Sequence, residues 1–148
     1  MEISNLILNW YHNNARSLPW RNSYNPYEIW VSEIILQQTR VVQGIRYYHD
    51  FVNKYPDVFS LASADENEVL KLWQGLGYYS RARNMLIAAQ QVMNDFDGKF
   101  PANYNDLIKL KGVGDYTAAA VSSIISNEVK PAVDGNALRV FSRLYGIY

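Results

Sequence analysis

Residues 110–121 read LKGVGDYTAAAV, with two glycines at a predicted turn between two helices. Gly112 and Gly114 flank one apolar residue, and small residues follow Tyr116 at the start of a helical pattern. Glycine permits a positive φ and leaves the backbone uncovered, so the N–H groups that open the next helix can form an anion site. The alternative is an ordinary glycine-terminated helix end. The whole string favours two helices joined by a tight, phosphate-binding hairpin.

A similar pattern lies at residues 72–80, LWQGLGYYS. Both strings read helix, Gly-apolar-Gly, tyrosine, hydroxyl residue and helix once one residue is gapped, so we expect one turn geometry to be used twice. Tyr78 and Tyr79 lie near Arg81 and Arg83, a mixture that suits stacking on bases and holding phosphates. Packing in the core is the alternative for one of these tyrosines.

Apolar residues recur at helical spacing along most of the chain, which predicts an all-α fold of about eight short helices. Asn25, Pro26 and Glu28 predict the start of the second helix, as N-cap, first helical residue and capping-box partner. The predicted helices lie at about residues 3–13, 26–38, 41–54, 67–73, 82–96, 105–110 and 116–127, with a last one from 135 onward.

Composition excludes several classes of protein. The chain has 148 residues, of which 49% are hydrophobic and 19% charged, so it can form a core and is not disordered. Its formal net charge is +0, so bulk charge gives no argument for a nucleic-acid partner. There is no cysteine and there are only two histidines, which excludes disulfides and disfavours a metal site. The sequence contains no signal peptide or membrane span, so we expect a soluble cytoplasmic protein.

Two carboxylates could carry chemistry. Glu33 shares a predicted helix face with Trp30 and Ile34, where burial would raise its pKa and keep it protonated, as a general acid requires. Asp134 lies where the last helix begins, and the amides there would keep it ionised. The ordinary alternatives are a solvated rim glutamate and a plain N-cap. Two acids in opposite protonation states are the arrangement that cleaves glycosidic bonds through a cationic transition state.

The second predicted helix ends in Leu36-Gln37-Gln38-Thr39-Arg40. Glutamine amides both donate and accept hydrogen bonds, so they can probe base edges or fill the gap that a displaced base leaves. A polar helix end without a binding role is the alternative.

Taken together, these strings resemble the MutY-type adenine DNA glycosylases of the endonuclease III helix-hairpin-helix superfamily. The likeness covers essentially the whole chain and implies the helix-hairpin-helix DNA glycosylase fold, with a six-helix barrel at about residues 20–130. The strings that carry it follow one another at family-like spacing: LPWR at 18–21, PYEIWVSEIILQQTRV at 26–41, LWQGLGYYSRARN at 72–84, LKGVGDYTAAAV at 110–121 and VDGN at 133–136.

Two positions separate the members of that superfamily. Bifunctional glycosylase/lyases carry a Schiff-base lysine where this chain has Tyr116, and endonuclease III has Asp-Thr-His where this chain has Asp134-Gly135-Asn136. The resemblance therefore implies a monofunctional enzyme, without an amine nucleophile. Its substrate would be adenine mispaired with 8-oxoguanine or guanine in double-stranded DNA.

The resemblance also implies roles for single residues. Glu33 would protonate the flipped adenine and then help to activate water. Asp134 would stabilise the cationic sugar or trap it covalently, and Tyr116 and Asn136 would support this pair. The remaining implied contacts are Trp20, Arg21 and Leu36 around the adenine, Gln38 and Tyr78 as wedges in the duplex, and Lys111, Gly112, Val113 and Gly114 on the phosphate backbone.

The family pattern extends further than these 148 residues. It includes four cysteines that hold a 4Fe–4S cluster and a C-terminal domain that checks for 8-oxoguanine. We therefore expect residues 1–148 to be a monomeric N-terminal catalytic fragment of a bacterial parent, without a metal of its own and acting on the chromosome. Residues 1–14 and 134–148 would be partial elements of the iron–sulfur domain. Such a fragment would bind DNA weakly and excise adenine slowly or not at all.

Three other interpretations stay open. A non-enzymatic helix-hairpin-helix DNA-binding module explains the glycines and Lys111, but not Glu33 together with Asp134. A related glycosylase for another base, such as thymine opposite guanine, would use the same scaffold. A helical bundle without surviving function is the third.

Overall fold

A computed structural model describes residues 2–147, so Met1 and Tyr148, the ends of the expected single unit, lie outside the described residues. Within that range all regular structure is helical, which confirms the all-α prediction. None of these helices is long and apolar enough to cross a membrane. The helices are α1 (Ile3–Asn14), α2 (Pro26–Leu36), α3 (Val41–Lys54), α4 (Val58–Ala62), α5 (Glu66–Leu72), α6 (Ser80–Asp95), α7 (Tyr104–Leu107), α8 (Asp115–Ser126) and α9 (Gly135–Tyr145), with a 3-10 turn at Pro19–Asn22.

Helix α2 lies at the centre of the core. Trp30, Val31 and Ile35 are fully buried, and the helix packs against α3 and α8. A helix that is apolar around most of its circumference is stable only when it is covered on most sides. The polar residues near its C-terminal end, Glu33 and Gln37, are therefore held half-buried at the edge of the core.

The start of α2 follows the prediction in part. The Asn25 side chain accepts a hydrogen bond from the Tyr27 amide at 3.0 Å, and Pro26 begins the helix. Glu28 does not complete a capping box, because the Asn25 amide donates to the Ser23 hydroxyl at 3.0 Å instead. The box was predicted wrongly, since a serine two residues earlier competes for the same amide.

Helix α4 has no counterpart among the predicted helices. It starts with a capping box, in which Asp57 accepts from the Ser60 amide at 2.8 Å and the Ser60 hydroxyl accepts from the Asp57 amide at 3.3 Å. Buried Val58 and Leu61 attach it to α6. A helix of five residues is too short to show a periodic stripe, so only its capping residues mark it in the sequence.

The two Gly-apolar-Gly turns differ in backbone conformation. Gly75 and Gly77 have φ of +98° and +73°, whereas in the second turn only Gly112 has a positive φ, of +77°. Gly114 has φ of −96° and is the N-cap of α8. The expectation of one shared geometry is therefore wrong. Tyr78, which aligns with Asp115, adds a further left-handed position with φ of 47° before α6 begins.

Helices α1 and α9 lie outside the buried core. Neither has a buried side chain, and the cluster of buried residues runs from Leu18 to Val121. Trp10 of α1 is 63% exposed and Leu144 of α9 is 52% exposed. Helix α9 contributes to the cleft described next through its N-terminal end alone.

Candidate active site

A cleft of about 760 Å³ opens where four helix ends meet. The C-terminal end of α2 forms one wall, and the N-terminal ends of α6, α8 and α9 form the others. Helix N-termini carry partial positive charge, which favours an anionic ligand such as a phosphate chain. The cleft is lined by Glu33, Leu36, Gln37, Gln38, Tyr78, Ser80, Arg81, Tyr116, Asp134, Gly135 and Asn136.

Glu33 reaches this cleft from the half-buried edge of α2. Burial raises the pKa of Glu33 above its ordinary value, because removal from water disfavours the carboxylate. The nearby Tyr116 hydroxyl lowers this pKa in part. The net shift keeps Glu33 protonated to a higher pH than a free glutamate, in the direction that the sequence predicts.

Asp134 is the N-cap of α9. Its carboxylate accepts hydrogen bonds from the Ala137 amide at 2.7 Å and from the Asn136 side-chain amide at 3.1 Å. These contacts, that of Ala137 above all, hold the pKa of Asp134 below its ordinary value. Being an N-cap and being kept ionised are thus two results of the same contacts, rather than alternatives.

Tyr116 lines the cleft together with the two acids. Burial, followed by repulsion from Glu33 and from Asp134, raises the pKa of Tyr116 to about 12. The phenol therefore stays neutral and able to donate a hydrogen bond at neutral pH. Glu33, Tyr116 and Asp134 line this one opening, although Glu33 and Asp134 lie about a hundred residues apart in the chain.

Asn136 fixes the orientation of the Asp134 carboxylate. Its side-chain nitrogen donates to Asp134, while its side-chain oxygen accepts from Arg139 Nη2 at 2.7 Å. A side-chain amide with hydrogen bonds at both ends has a defined orientation. It also joins Asp134 to the positively charged Arg139 through two hydrogen bonds. Asn136 is thus placed to support Asp134.

A second cavity, of about 400 Å³, adjoins the cleft at Glu33 and Leu36, which line both. Trp20 and Arg21 line this cavity and not the cleft. Trp20 is 7% exposed, and Arg21 Nη1 donates to the Arg16 carbonyl at 2.9 Å. Of the three residues expected around the base, only Leu36 therefore reaches the cleft itself.

Gln38 and Tyr78 lie in the cleft wall with unusual backbones. Their φ values are 54° and 47°, in the left-handed region. A side chain in that region costs about 1 kcal/mol or more, so the surrounding structure has to hold it there. The Tyr78 side chain is also 65% exposed, which is high for an aromatic residue and leaves its ring available to a ligand.

The hairpin Lys111–Gly114 lies just before α8 and outside the lining of the cleft. Helix α6 supports it, because a Cβ atom on Gly112 would lie only 2.7 Å from the Cβ of Asn84. Nothing lies within 4 Å of the Cβ position of Gly114. Val113 is 7% exposed and belongs to the core, so it can offer a ligand only its backbone.

Arg81 is the cleft residue whose role differs most from its sequence interpretation. It is only 9% exposed, and its guanidinium donates to backbone carbonyl groups, so it is not free to hold a phosphate. Arg83 is exposed and pairs with Glu66 at 3.0 Å. The sequence pattern could have predicted that Arg81 is buried, because Arg81 lies on the same helix face as buried Met85 and Ala88.

The described residues supply no ligand set for a metal ion. Residues 2–147 contain no group of three or more histidine, aspartate or glutamate residues that could hold a metal ion, and the sequence has no cysteine. Iron–sulfur clusters are held by cysteine thiolates. The cluster that the resemblance implies therefore does not fit the residues of this chain.

Comparisons with known proteins show the family to which the chain belongs. A family model described as "HhH-GPD superfamily base excision DNA repair protein" matches residues 31–148. The adenine DNA glycosylase of Buchnera aphidicola subsp. Schizaphis graminum is 43% identical over 145 residues, and that of Mus musculus is 44% identical over 150 residues. The structure of a thermostable thymine-DNA glycosylase superposes with a TM-score of 0.87 at 31% identity, over 93% of this chain and 64% of that chain.

The curated relatives are much longer than this chain. The alignment covers 97% of this chain but 42% of the Buchnera protein, and 95% of this chain but 29% of the mouse protein. The chain thus spans about two fifths of the first relative and under a third of the second.

Proposed function

The chain belongs to the HhH-GPD superfamily of base excision DNA repair proteins, and on this premise we propose that its cleft binds duplex DNA and hydrolyses the N-glycosidic bond of adenine. The adenine would be mispaired with 8-oxoguanine or guanine. One observation carries the proposal: an acid with a raised pKa, Glu33, and an acid with a lowered pKa, Asp134, line the same cleft around Tyr116.

In the proposed reaction, Glu33 donates its proton to a ring nitrogen of a flipped adenine. The bond between the sugar C1′ and the base nitrogen breaks, and its electron pair leaves with the base. The ionised Asp134 stabilises the positive charge on the sugar, as the carboxylate partner does in glycosidases. Water then attacks C1′ and gives a proton to the Glu33 carboxylate, which restores the acid.

The neutral phenol of Tyr116 and the amide of Asn136 support this pair. Tyr116 donates toward the acids without adding charge, and Asn136 holds the Asp134 carboxylate in place. Lysine is absent from the described residues that line the cleft, and the resemblance implies that Tyr116 stands where the bifunctional enzymes have their Schiff-base lysine. Hydrolysis without a covalent amine intermediate is therefore the chemistry that this site supports.

The second cavity is the proposed base pocket. Its volume of about 400 Å³ lies within the usual range of small-molecule sites, and it meets the cleft at Glu33. Trp20 and Leu36 supply apolar walls and Arg21 supplies a cation at its edge. A base that enters this cavity would bring its ring nitrogens to the acid that protonates it.

The DNA contacts are proposed on the same geometry. Gln38 and Tyr78 line the opening of the cleft and would enter the duplex where the base has left the stack. The hairpin backbone at Gly112, Val113 and Gly114, together with Lys111, would hold a phosphate without reading sequence. We further propose that the protein acts as a monomer.

A cluster such as the resemblance implies would need ligands outside residues 1–148, because this sequence has no cysteine. No step above depends on it. The expected division into a barrel at about residues 20–130 and partial elements at 1–14 and 134–148 is likewise kept as a proposal.

Single-turnover release of free adenine from a duplex with an adenine:8-oxoguanine pair tests the function. Glu33→Gln should lower the rate by roughly 10²- to 10⁴-fold, the usual effect of losing a general acid. Glu28→Gln is the matched control, because Glu28 is half-buried on the same helix and does not line the cleft. Duplex binding without any release of base by the wild-type chain would reject the activity proposed for this chain.

A second candidate function is excision of another base. The likeness to a thymine-DNA glycosylase favours it, at 31% identity and a TM-score of 0.87. A panel of adenine:8-oxoguanine, adenine:guanine and thymine:guanine duplexes separates the two. Release of thymine with no release of adenine would reject the adenine assignment.

A further inference from the structure

One side chain, Arg81, contacts both segments that carry the proposed wedge residues. Its Nη1 group donates to the carbonyl oxygens of Ile34 at 2.9 Å, Ile35 at 3.1 Å and Gln37 at 2.6 Å. These carbonyls belong to the C-terminal end of α2, where a helix leaves its last carbonyls without partners of its own. The guanidinium thus completes the end of α2 immediately before Gln38.

The same guanidinium also holds the turn that precedes α6. Its Nη2 group donates to the carbonyl oxygens of Leu76 at 3.4 Å and Gly77 at 3.3 Å. The guanidinium carbon lies 5.9 Å from the centre of the Tyr78 ring and 5.2 Å from that of the Trp73 ring. A cation is attracted to an aromatic face, more strongly where water is excluded. Arg81 therefore contacts both the backbone before Tyr78 and its ring.

Strain in the two segments explains why such a contact is needed. Gln38 and Tyr78 both have left-handed backbones, which non-glycine residues keep only where the surrounding structure enforces them. Arginine presents five N–H donors in one rigid plane, so it can satisfy carbonyls from two segments at once. Lysine has a single ammonium group and cannot span both sets.

We infer that Arg81 is a positioning residue that fixes the Gln38 and Tyr78 segments relative to each other, and so sets the spacing of the two side chains presented to a duplex. The part that concerns DNA rests on the proposed function, whereas the coupling of the two segments rests on the hydrogen bonds of Arg81 and on its contact with the Tyr78 ring. Gln37 extends the coupling to α8, because its Nε2 group donates to the Thr117 hydroxyl at 3.3 Å.

Hydrogen exchange of the free 148-residue protein tests the coupling without DNA. Arg81→Lys should speed amide exchange in residues 36–40 and 75–79 together, by roughly tenfold, and leave α3 and α5 unchanged. Arg83→Lys is the matched control, because Arg83 is exposed and only two residues further along α6. A rise in one segment alone, or an equal rise throughout the core, would overturn the inference.

Duplex binding tests the functional part with a readout that general destabilisation does not change. Arg81→Lys should lower the ratio of the affinities for adenine:8-oxoguanine and adenine:thymine duplexes by about tenfold. The double variant Arg81→Lys, Tyr78→Ala should lower this ratio little further, because the effects of substitutions at coupled residues are not additive. Additive losses, or equal losses on both duplexes, would show that Arg81 only stabilises the fold.

Two outcomes separate this inference from the proposed function. If the wild-type chain binds both duplexes equally, the proposed substrate fails, and the exchange data still decide the coupling. If Arg81→Lys does not fold, Tyr78→Ala replaces it, because that change removes the ring over the guanidinium. Amide exchange at residues 36–40 should then be faster in Tyr78→Ala and unchanged in the control Tyr79→Ala. Unchanged exchange at residues 36–40 in Tyr78→Ala would overturn the inference.

Discussion

The carboxyl group of Glu33 is subject to two opposing influences. Burial against the apolar face of α2 disfavours its charge, and the Tyr116 hydroxyl favours that charge to a smaller extent. The opposite holds at Asp134, where hydrogen bonds to the ionised form outweigh the small effect of burial. The protonation states of these two residues are thus set by their immediate neighbours. The pH dependence of the stability of the fold reports these states.

The pH dependence of folding should report the burial of Glu33. Because the pKa of Glu33 is raised in the folded protein, Glu33 stabilises the fold fully below its ordinary pKa of 4.5. This contribution to stability is lost as the pH rises through the raised pKa. Glu33→Gln should therefore raise the melting temperature at neutral pH and leave it nearly unchanged below pH 4.5. Melting curves across this range measure the difference, and a Glu33→Gln protein less stable at neutral pH would contradict it.

The cleft is formed by the ends of helices rather than by their faces. The N-terminal ends of α6, α8 and α9 and the C-terminal end of α2 converge, and each places at least one side chain in the cleft. Two substitutions separate the contribution of a helix end to folding from its contribution to chemistry.

Asp134→Asn should separate the cap of α9 from the charge of its carboxylate. Asparagine and aspartate are similar N-caps, whereas alanine at this position costs about 1 kcal/mol. We therefore expect Asp134→Asn to fold and to bind duplex DNA, but to lose adenine release, while Asp134→Ala also destabilises α9. Single-turnover rates and helical circular dichroism measure the two effects. Undiminished adenine release by Asp134→Asn would remove Asp134 from the proposed chemistry.

The hairpin glycines should respond differently to alanine. Gly112 has φ of +77° and no room for a Cβ beside Asn84, so Gly112→Ala should destabilise the protein by about 2 to 4 kcal/mol. Gly114 has an ordinary φ and open space, so Gly114→Ala should cost at most the ~1 kcal/mol of a poorer N-cap. It should weaken DNA binding, because a methyl group separates the backbone from a phosphate. Equal melting temperatures for the two variants would contradict the geometry of the hairpin.

For the molecule as a whole, charge does not explain an affinity for DNA. The sequence carries 14 basic and 14 acidic residues, so any binding must come from local contacts such as the hairpin. The apolar side chains of α1 and α9 are exposed, so the buried core of residues 18–121 is what supports the cleft.

Salt dependence of DNA binding tests this local origin. Lys111→Gln should weaken binding equally for matched and mismatched duplexes and reduce the slope of log K against log salt by about 1, as expected for one lost phosphate contact. Lys54→Gln is the control, because Lys54 pairs with Glu68 at 3.3 Å and lies outside the hairpin and the cleft. An unchanged slope for Lys111→Gln would place the phosphate elsewhere.

The sequence alone determined the helical class and most helix positions, because these follow from the spacing of apolar residues and from local caps such as Asn25 and Asp134. It also determined that Asp134 begins a helix and that Glu33 lies on an apolar face. It did not determine helix α4, which is too short for a periodic signal, nor the different backbones of the two glycine turns.

Only the tertiary structure decided what meets at the cleft. Glu33, Tyr116 and Asp134 come from three separate helices, and nothing in their local sequence states that the ends of those helices converge. The role of Arg81 could not be predicted for the same reason, because its side chain donates hydrogen bonds to carbonyl groups 44 to 47 residues away in the chain. Local interactions are encoded in neighbouring residues, whereas contacts between helix ends depend on how the whole core packs.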